Sequence, residues 1–411
     1  MVRLTRLRID RLRNVKPGTD LRFGPTFNVL LGRNATGKST LLDLIAAVTN
    51  DDLSAYAKED AGFDLTWWLE DGEIEFELWA MRKPSRLGQH KESEFDDRWE
   101  IVVRAAGAET ARVEVTGTRG VWKRAGAPDL PFDVKFGLDT AGAGSRTAQA
   151  VSNVQNGAAA KDAPLGAMRR VLWHPGQLGR FDEALASLNL VMRSFFELRN
   201  NGSVIFDLQL PEALLAVLAK RPVPDPLVVR FEELGELARV PALLGFTSAE
   251  LRPRLVHGSQ DGATAGVAYQ GFDCLFRRAD GSRILHHLLS FGQKRLFAFL
   301  WYLDVRQELP VVADELLNGL HHEWIQVCME RLRDRQSFLA TQDAWLLDHV
   351  PIESADAVQT TFVRCSIETA PNGRDQMAWR NFDEEEAERF FVAYQTGIQH
   401  VSEVLRTEGL W

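Results

Sequence analysis

The sequence predicts an α/β fold in which a buried strand runs into a phosphate-binding loop and a helix leaves it. Three observations carry the prediction. FNVLLGRNATGKSTLL, from Phe27 to Leu42, passes from an apolar strand through Gly32, Gly37, Lys38 and Ser39, at the spacing G-x-x-x-x-G-K-S, into a helical pattern. Far downstream, PVVADE ends an apolar strand on the acidic pair Asp314 and Glu315. Shortly before it, LLSFGQKRLFAFLWYLD opens a strongly apolar helix at Ser290, Gly292 and Gln293.

Taken in order, Val2 to Arg13 reads as a strand with Val2, Leu4, Leu7, Ile9 and Leu12 as its apolar residues, closed by a turn at Pro17 and Gly18. Arg3, Arg6, Arg8, Arg11 and Arg13 decorate it, either as a solvated, edge-protecting face or as a contact to DNA or nucleotide. A second strand, Leu21 to Phe23, precedes the strand Phe27 to Leu31. In the loop that follows, glycine at both ends lets successive amide N–H groups face an anion, and the helix beginning near Gly37 adds the positive end of its dipole. Lys38 can reach the β and γ phosphates, and the Ser39 hydroxyl is placed to ligate Mg²⁺. Gly32, Arg33, Asn34, Ala35, Thr36, Gly37, Lys38, Ser39 and Thr40 are thus the candidate contacts to ATP. The helix from Lys38 to about Val48 buries Leu41, Leu42, Leu44, Ile45 and Val48.

From Ala61 to about Gly137 the period becomes alternating. LTWWLEDGEIEFELWA carries a hairpin signal at Asp71 and Gly72, and WEIVVRAAG and ARVEVTG extend an antiparallel sheet in which Trp67, Trp68, Trp79 and Trp99 are packing residues. Leu138 to Pro164, rich in Gly, Ala, Ser and Asn, reads as a mobile loop or lid. Beyond it a short strand is expected at Arg170 to His174 and helices at Phe181 to Arg199, Glu212 to Ala219 and Phe231 to Ala238, with KRPVPDP as a stiff connector. Without sustained heptads this lobe is compact and not a coiled coil.

At Ser290 the sequence offers two compatible roles. Ser290 and Gln293 form a capping box, and a capped helix N-terminus is also suited to a γ-phosphate. An acidic pair closing a buried strand is expensive unless it serves a cation. Asp314 is therefore assigned to Mg²⁺, directly or through water, and Glu315 is assigned as the base acting on the attacking water. The paired histidines His286–His287 and His321–His322 are not expected to hold a further metal, since adjacent residues rarely face one ion and no third ligand is spaced to help. The C-terminal FDEEEAERFFVAYQTGIQHVSEVLRTEGLW reads as one long amphipathic helix packed on the rest, or as a docking surface ending at Trp411.

Composition restricts the class. The chain has 411 residues, 45% of them hydrophobic, enough for two or three domains. A net charge of −9 argues against a general grip on nucleic acid. Three separated cysteines suggest buried thiols and neither disulfides nor a zinc knuckle. The N-terminus alternates Arg with apolar residues and no run approaches the ~18 residues of a membrane span, so a cytoplasmic protein with no membrane association is expected.

The order of phosphate loop, LSFGQ, VVADE, NGLHH and LATQD resembles the ATP-binding-cassette ATPase heads of the SMC and RecF group. Within that group it is similar to stand-alone bacterial ATPases akin to the ATPase half of overcoming-lysogenisation-defect nucleases and to the ATPase subunits of phage-defence systems such as Septu and PARIS. The likeness covers roughly Met1 to Asn50 and Leu285 to His349. It implies a head built from residues 1–60 and 281–365, a β-rich and then helical insertion at 61–280, and a C-terminal helical segment at 366–411. It further implies ATP-driven formation of a homodimer or higher oligomer. Ser290 and Gly292 complete the nucleotide site of a second subunit, Asn318 and Gly319 contact the partner with His321 following, and Arg13 and Asn14 end the first strand near the nucleotide. Gln342 stands where many cassette ATPases carry His, which implies slow or differently gated hydrolysis, because Gln cannot carry charge. Either Gln155 or Gln177 supplies the usual glutamine between loop and signature. A switch acting on a separate nuclease or toxin effector in phage defence, triggered by DNA or a phage product, is the leading expectation. A RecF-like sensor of DNA ends or a slowly hydrolysing scaffold is the alternative, and a transporter cassette is less favoured because about 250 residues separate the loop from Ser290.

Overall fold

The computed structural model describes residues 1–57, 59, 61–83, 98–117, 119–133, 180–182, 195–199, 204–206, 210–220, 228–258, 266–306, 309–341, 344–396 and 400–407. The expected lid, the strand at Arg170 to His174, Gln155, Gln177, Gln342 and Trp411 lie outside these residues. The chain divides into two units. One comprises Met1–Pro175, Glu308–Leu316 and Leu332–Trp411; the other comprises Gly176–Gln307 and Leu317–Arg331.

The first unit contains two sheets. Strands β1 (Val2–Leu12) and β2 (Thr19–Arg22) continue into β4 (Phe63–Asp71), β5 (Ile74–Arg82), β6 (Arg98–Ala105), β7 (Ala108–Thr116), β8 (Arg119–Arg124) and β9 (Ala127–Asp133). Together they make an eight-stranded antiparallel sheet in the order β2-β1-β4-β5-β6-β7-β8-β9. The β-rich stretch is therefore an extension of the N-terminal sheet, since β4 pairs along the length of β1 from Val2↔Asp71 to Leu12↔Phe63. Its tryptophans pack as expected. Trp67 and Trp99 are buried, Arg6 lies 4.5 Å over the Trp68 ring, and Trp79 Nε1 donates to Asp64 Oδ1 at 2.9 Å.

The second sheet joins sequence ends. Strands β3 (Phe27–Leu31), β16 (Val311–Asp314), β17 (Ser337–Ala340) and β18 (Phe362–Thr369) are parallel in the order β16-β17-β3-β18, and β19 (Asp375–Asn381) closes the edge antiparallel to β18. All residues of β3 and β17 are buried, as expected for parallel strands covered on both faces. Helix α1 (Lys38–Thr49) packs against β16 and β17, and Leu41, Leu42, Leu44, Ile45 and Val48 share one core with Trp67, Phe76 and Trp122 of the antiparallel sheet. A short helix α2 (Ser54–Ala57) follows.

The second unit is built on β10 (Phe195–Arg199), β11 (Val204–Phe206), β12 (Val229–Arg230), β13 (Ser248–Gly258), β14 (Gly266–Arg277) and β15 (Arg283–Leu285), with β15 on the flank of β14. Here the expectation of a helix through Arg199 is corrected. Residues Phe195–Arg199 form β10 and pair with β14, so cross-strand partners outweigh the helical spacing of the preceding leucines. The helix expected at Glu212 is present as α3 (Glu212–Lys220), while Phe231 to Ala238 folds as two 3-10 turns before the short helix α4 (Val240–Leu243). Helix α5 (Phe291–Val305) is buried on nearly every side from Arg295 to Asp304, with the Phe297 and Phe276 rings 5.7 Å apart. Helix α6 (His322–Leu332) is tied to α4 by its Trp324 indole, which donates to Leu243 O at 3.1 Å.

Residues 366–411 are not wholly helical. They begin with the end of β18 and with β19. After α7 (Ala344–Asp348) and α8 (Ala355–Thr361) come the strands β18 and β19, and then two helices in place of one, α9 (Glu384–Gln395) and α10 (Val401–Thr407). No helix among the described residues is long and apolar enough to cross a membrane.

Candidate functional site

The loop after β3 has the backbone that its sequence requires. Gly32, Ala35 and Gly37 adopt φ of 150°, 66° and 86°. A Cβ on Gly32 would stand 2.3 Å from the Cys365 carbonyl oxygen, and one on Gly37 would stand 2.2 Å from Met377 Sδ. Gly37 is also the N-cap of α1, and no side chain caps that helix. The first amides of α1 are thus left to an anion, where the helix dipole favours negative charge.

Lys38 and Ser39 follow in the first turn. Lys38 is buried, with Nζ donating to Gly32 O at 2.7 Å and Arg33 O at 3.0 Å, so the ammonium is held over the loop. Ser39 Oγ donates to Asp314 Oδ2 at 2.6 Å. Parallel pairing of β16 with β17, and of β17 with β3, places the end of β16 beside the start of α1 although 275 positions separate Ser39 from Asp314. A hydroxyl and a carboxylate meeting in this way form a hard-oxygen pair suited to Mg²⁺. Glu315 follows at φ 48°, a left-handed conformation held by its N–H donating to Ala340 O at 2.8 Å. Non-glycine residues in that region concentrate at functional sites, because the strain of about 1–3 kcal/mol has to be held by the surroundings.

Arg33, Asn34 and Ala35 are exposed on the loop, Thr36 is buried with Oγ1 donating to Arg33 O at 2.8 Å, and Thr40 is half-buried on α1. Arg13 and Asn14 follow β1 directly, in a turn. The Arg13 guanidinium, however, is engaged with Glu59, at 2.9 Å from Nε to Oε2, and lies 5.2 Å from the Tyr56 ring centroid. Asn14 contributes its carbonyl, which accepts the Met377 N–H at 2.8 Å.

Sequence reasoning missed the loop's cover. Met377 and Trp379 of β19 stand against Gly37, and Trp379 Nε1 donates to Thr36 O at 3.1 Å. The available signal was Asn372–Gly373, a hairpin turn between β18 and β19, with Gly373 at φ 77°. Beside the loop, burial pushes the Cys365 thiol up to about 12, with the Lys38 charge pulling the other way.

The remaining candidates lie in the second unit. Ser290 N-caps α5 through the expected capping box: Ser290 Oγ accepts the Gln293 N–H at 3.3 Å and Gln293 Oε1 accepts the Ser290 N–H at 2.9 Å. The Gln293 amide also donates to Leu244 O at 2.9 Å. Gly292 is required by close approach, since a Cβ there would meet Gly319 O at 2.8 Å and the Trp324 ring at 3.0 Å. A Cβ on Gly319, at φ 78°, would in turn meet the Phe291 ring at 2.6 Å. The two sequence segments around Ser290 and Asn318–Gly319 are thereby brought into contact. His321 and His322 are exposed, and the expectation that no third ligand is near them is corrected: the ligand atoms of His321, His322 and Glu323 lie within 4.8 Å of one another.

No protein-family model and no curated protein matches the chain. It is similar to several solved structures. One is the SMC head domain from Thermotoga maritima, at 12% identity over 93% of this chain and 99% of that one, with a TM-score of 0.37. Another is the Smc head domain with an extended coiled coil bound to the C-terminal domain of ScpA, from Pyrococcus furiosus, at 11% identity over 96% and 100%, with a TM-score of 0.35. The recombination mediator protein RecF with ATP matches at 13% identity over 83% and 93%, with a TM-score of 0.32. Scores of this size carry no weight for the chemistry, which rests on the loop and the Ser39–Asp314 contact.

Proposed function

We propose that this chain is an ABC-type ATPase: it binds ATP on the Gly32–Ser39 loop, hydrolyses it with Glu315 acting on water, and works as a switch by pairing two copies around nucleotide. The observation that carries the proposal is the 2.6 Å hydrogen bond from Ser39 to Asp314 at the N-terminus of a helix with no side-chain cap. Ser39 and Asp314 would hold Mg²⁺, which when bound supplies charge neutralisation at the phosphates. The loop amides orient the phosphate chain, and Lys38 turns from the loop carbonyls to the β and γ phosphates. Glu315, one residue beyond Asp314, orients the attacking water and takes its proton.

Ser290, Gly292 and Gln293, with Asn318, Gly319 and His321, would serve the nucleotide of a second copy. Support comes from the packing of Gly292 against Gly319, which makes one surface of two motifs. Gln342 would sense the γ-phosphate without carrying charge, giving slow turnover. Control of a separate nuclease or toxin effector in phage defence, with DNA or a phage product as trigger, is supported by the resemblance in motif order alone. A RecF-like sensor of DNA ends is the alternative, equally compatible with an ATP site of this kind; on the first strand and just after it, Arg6, Arg8 and Arg13 are ion-paired with Asp20, Asp10 and Glu59.

The deciding measurement is the mass of the protein in solution, with and without ATP and Mg²⁺, for the wild type and Glu315→Gln, alongside phosphate release. The proposal expects an ATP-dependent dimer or larger assembly that Glu315→Gln traps while losing turnover. A mass indifferent to ATP in both proteins overturns the switch, and turnover that survives Glu315→Gln overturns the assignment of the base. Selective binding to DNA ends with no co-purifying effector would establish the RecF-like alternative.

A further inference from the structure

The outer face of the sheet in the second unit carries a cavity of about 970 Å³, within the range of small-molecule sites. Strand register determines what lines it. Arg277 of β14 and Arg283 of β15 are direct cross-strand partners, and Ser248 of β13 faces Arg277 from the other side. Two residues along, Glu250 pairs in register with both Leu275 and Arg230. Directly opposed residues share a face of the sheet, so these side chains stand together, while Leu251 and Phe276 on the other face are buried.

Like charges directly opposite each other destabilise a sheet, yet Arg277 and Arg283 are both exposed there and form no ion pair among the described residues. The neighbouring carboxylates are engaged elsewhere. Glu250 is engaged by Arg252, and Glu233 Oε1 accepts the Arg230 N–H at 3.0 Å. One end of the cavity is therefore cationic and planar, the geometry that receives phosphate oxygens bidentately. Arg230 and the carboxylate of Glu232 also line the cavity.

We infer that this cavity is a second ligand site, separate from the phosphate loop, for a phosphorylated small molecule of nucleotide size. Its phosphate lies between Arg277 and Arg283, and its hydroxyl or amino donors reach Glu232. The inference does not depend on the ATPase proposal, because no residue of the loop takes part.

The test uses the full-length Lys38→Ala chain, which silences the loop, and titrates it with AMP and with inorganic phosphate by calorimetry. The expected result is saturable AMP binding, tighter than phosphate, that weakens at least tenfold in Arg277→Ala and in Arg283→Ala and severalfold in Glu232→Gln. Arg283→Gln stands in should an alanine variant unfold. AMP binding no tighter than phosphate overturns the nucleotide-size assignment. Absence of AMP binding to the Lys38→Ala chain, or AMP binding unchanged by the arginine substitutions, overturns the site.

Discussion

Two glycines and one glutamate set the backbone of the candidate site. At Gly37 two constraints coincide: a left-handed φ of 86° and a sulfur 2.2 Å from where a Cβ would sit. Gly37→Ala is expected to destabilise the first unit by about 2–4 kcal/mol, adding a left-handed penalty of about 1–2 kcal/mol to an overpacking penalty of similar size. Met377→Ala in the same chain should recover the packing part and leave the backbone part, so chemical denaturation of the two variants separates them. A Gly37→Ala protein as stable as the wild type would mean that the loop does not pack under β19. Glu315 presents the opposite case, a non-glycine residue kept at φ 48° where glycine would be unstrained. A carboxylate retained at that cost accords with the proposed role on water, and backbone comfort alone would not select it.

Between elements, the antiparallel sheet and the parallel sheet are stapled by one buried side chain. Gln336, just before β17, accepts the Leu4 N–H at 2.8 Å and donates to Leu4 O at 2.7 Å and to Gly24 O at 2.8 Å. Gln336→Leu leaves the Leu4 N–H and C=O buried and unpaired, at about 1–3 kcal/mol each before relaxation, while the Gly24 carbonyl keeps the Asn28 amide at 3.1 Å. A net loss of at least about 2 kcal/mol is expected, read as a lowered denaturant midpoint with an unchanged slope. A loss under 1 kcal/mol would show that water replaces the amide. Nothing in the local sequence marks this glutamine, because its partners lie more than 300 positions away. The strand β3, helix α1 and strand β16 were legible for the converse reason: unbroken apolar runs and helical periodicity are local. Phe195–Arg199 and β19 were not. The first follows leucines at helical spacing, and DQMAWRN has too few apolar residues to announce a strand, so cross-strand pairing decided both. At the site, Lys38, Ser39 and Asp314 were readable from motif spacing, whereas Met377 and Trp379 act through packing that no motif records.

Across the whole molecule, the three cysteines give each unit its own response to alkali. Cys274 and Cys328 lie in the second unit and Cys365 in the first, and all three are buried. Burial raises each thiol, Cys365 up to about 12 and Cys274 well above its ordinary value. In the folded chain the thiols therefore stay protonated after those of the unfolded chain, near pH 8.5–9, have ionised. The unfolded state then binds fewer protons, so stability is complete below about pH 8.5 and falls as pH rises towards 12, by about 1.4 kcal/mol per pH unit for each thiol. If the units unfold separately, the second should lose stability about twice as steeply as the first; if they unfold together, the slopes add to about 4 kcal/mol per pH unit. Denaturant midpoints at pH 8, 9.5 and 10.5 for the wild type and for a chain with all three cysteines changed to alanine isolate this contribution from lysine and tyrosine titration. The difference between the two proteins should grow with pH in favour of the cysteine-free chain. A constant difference would mean that the thiols ionise as readily folded as unfolded, and that the interiors of both units admit water at these positions.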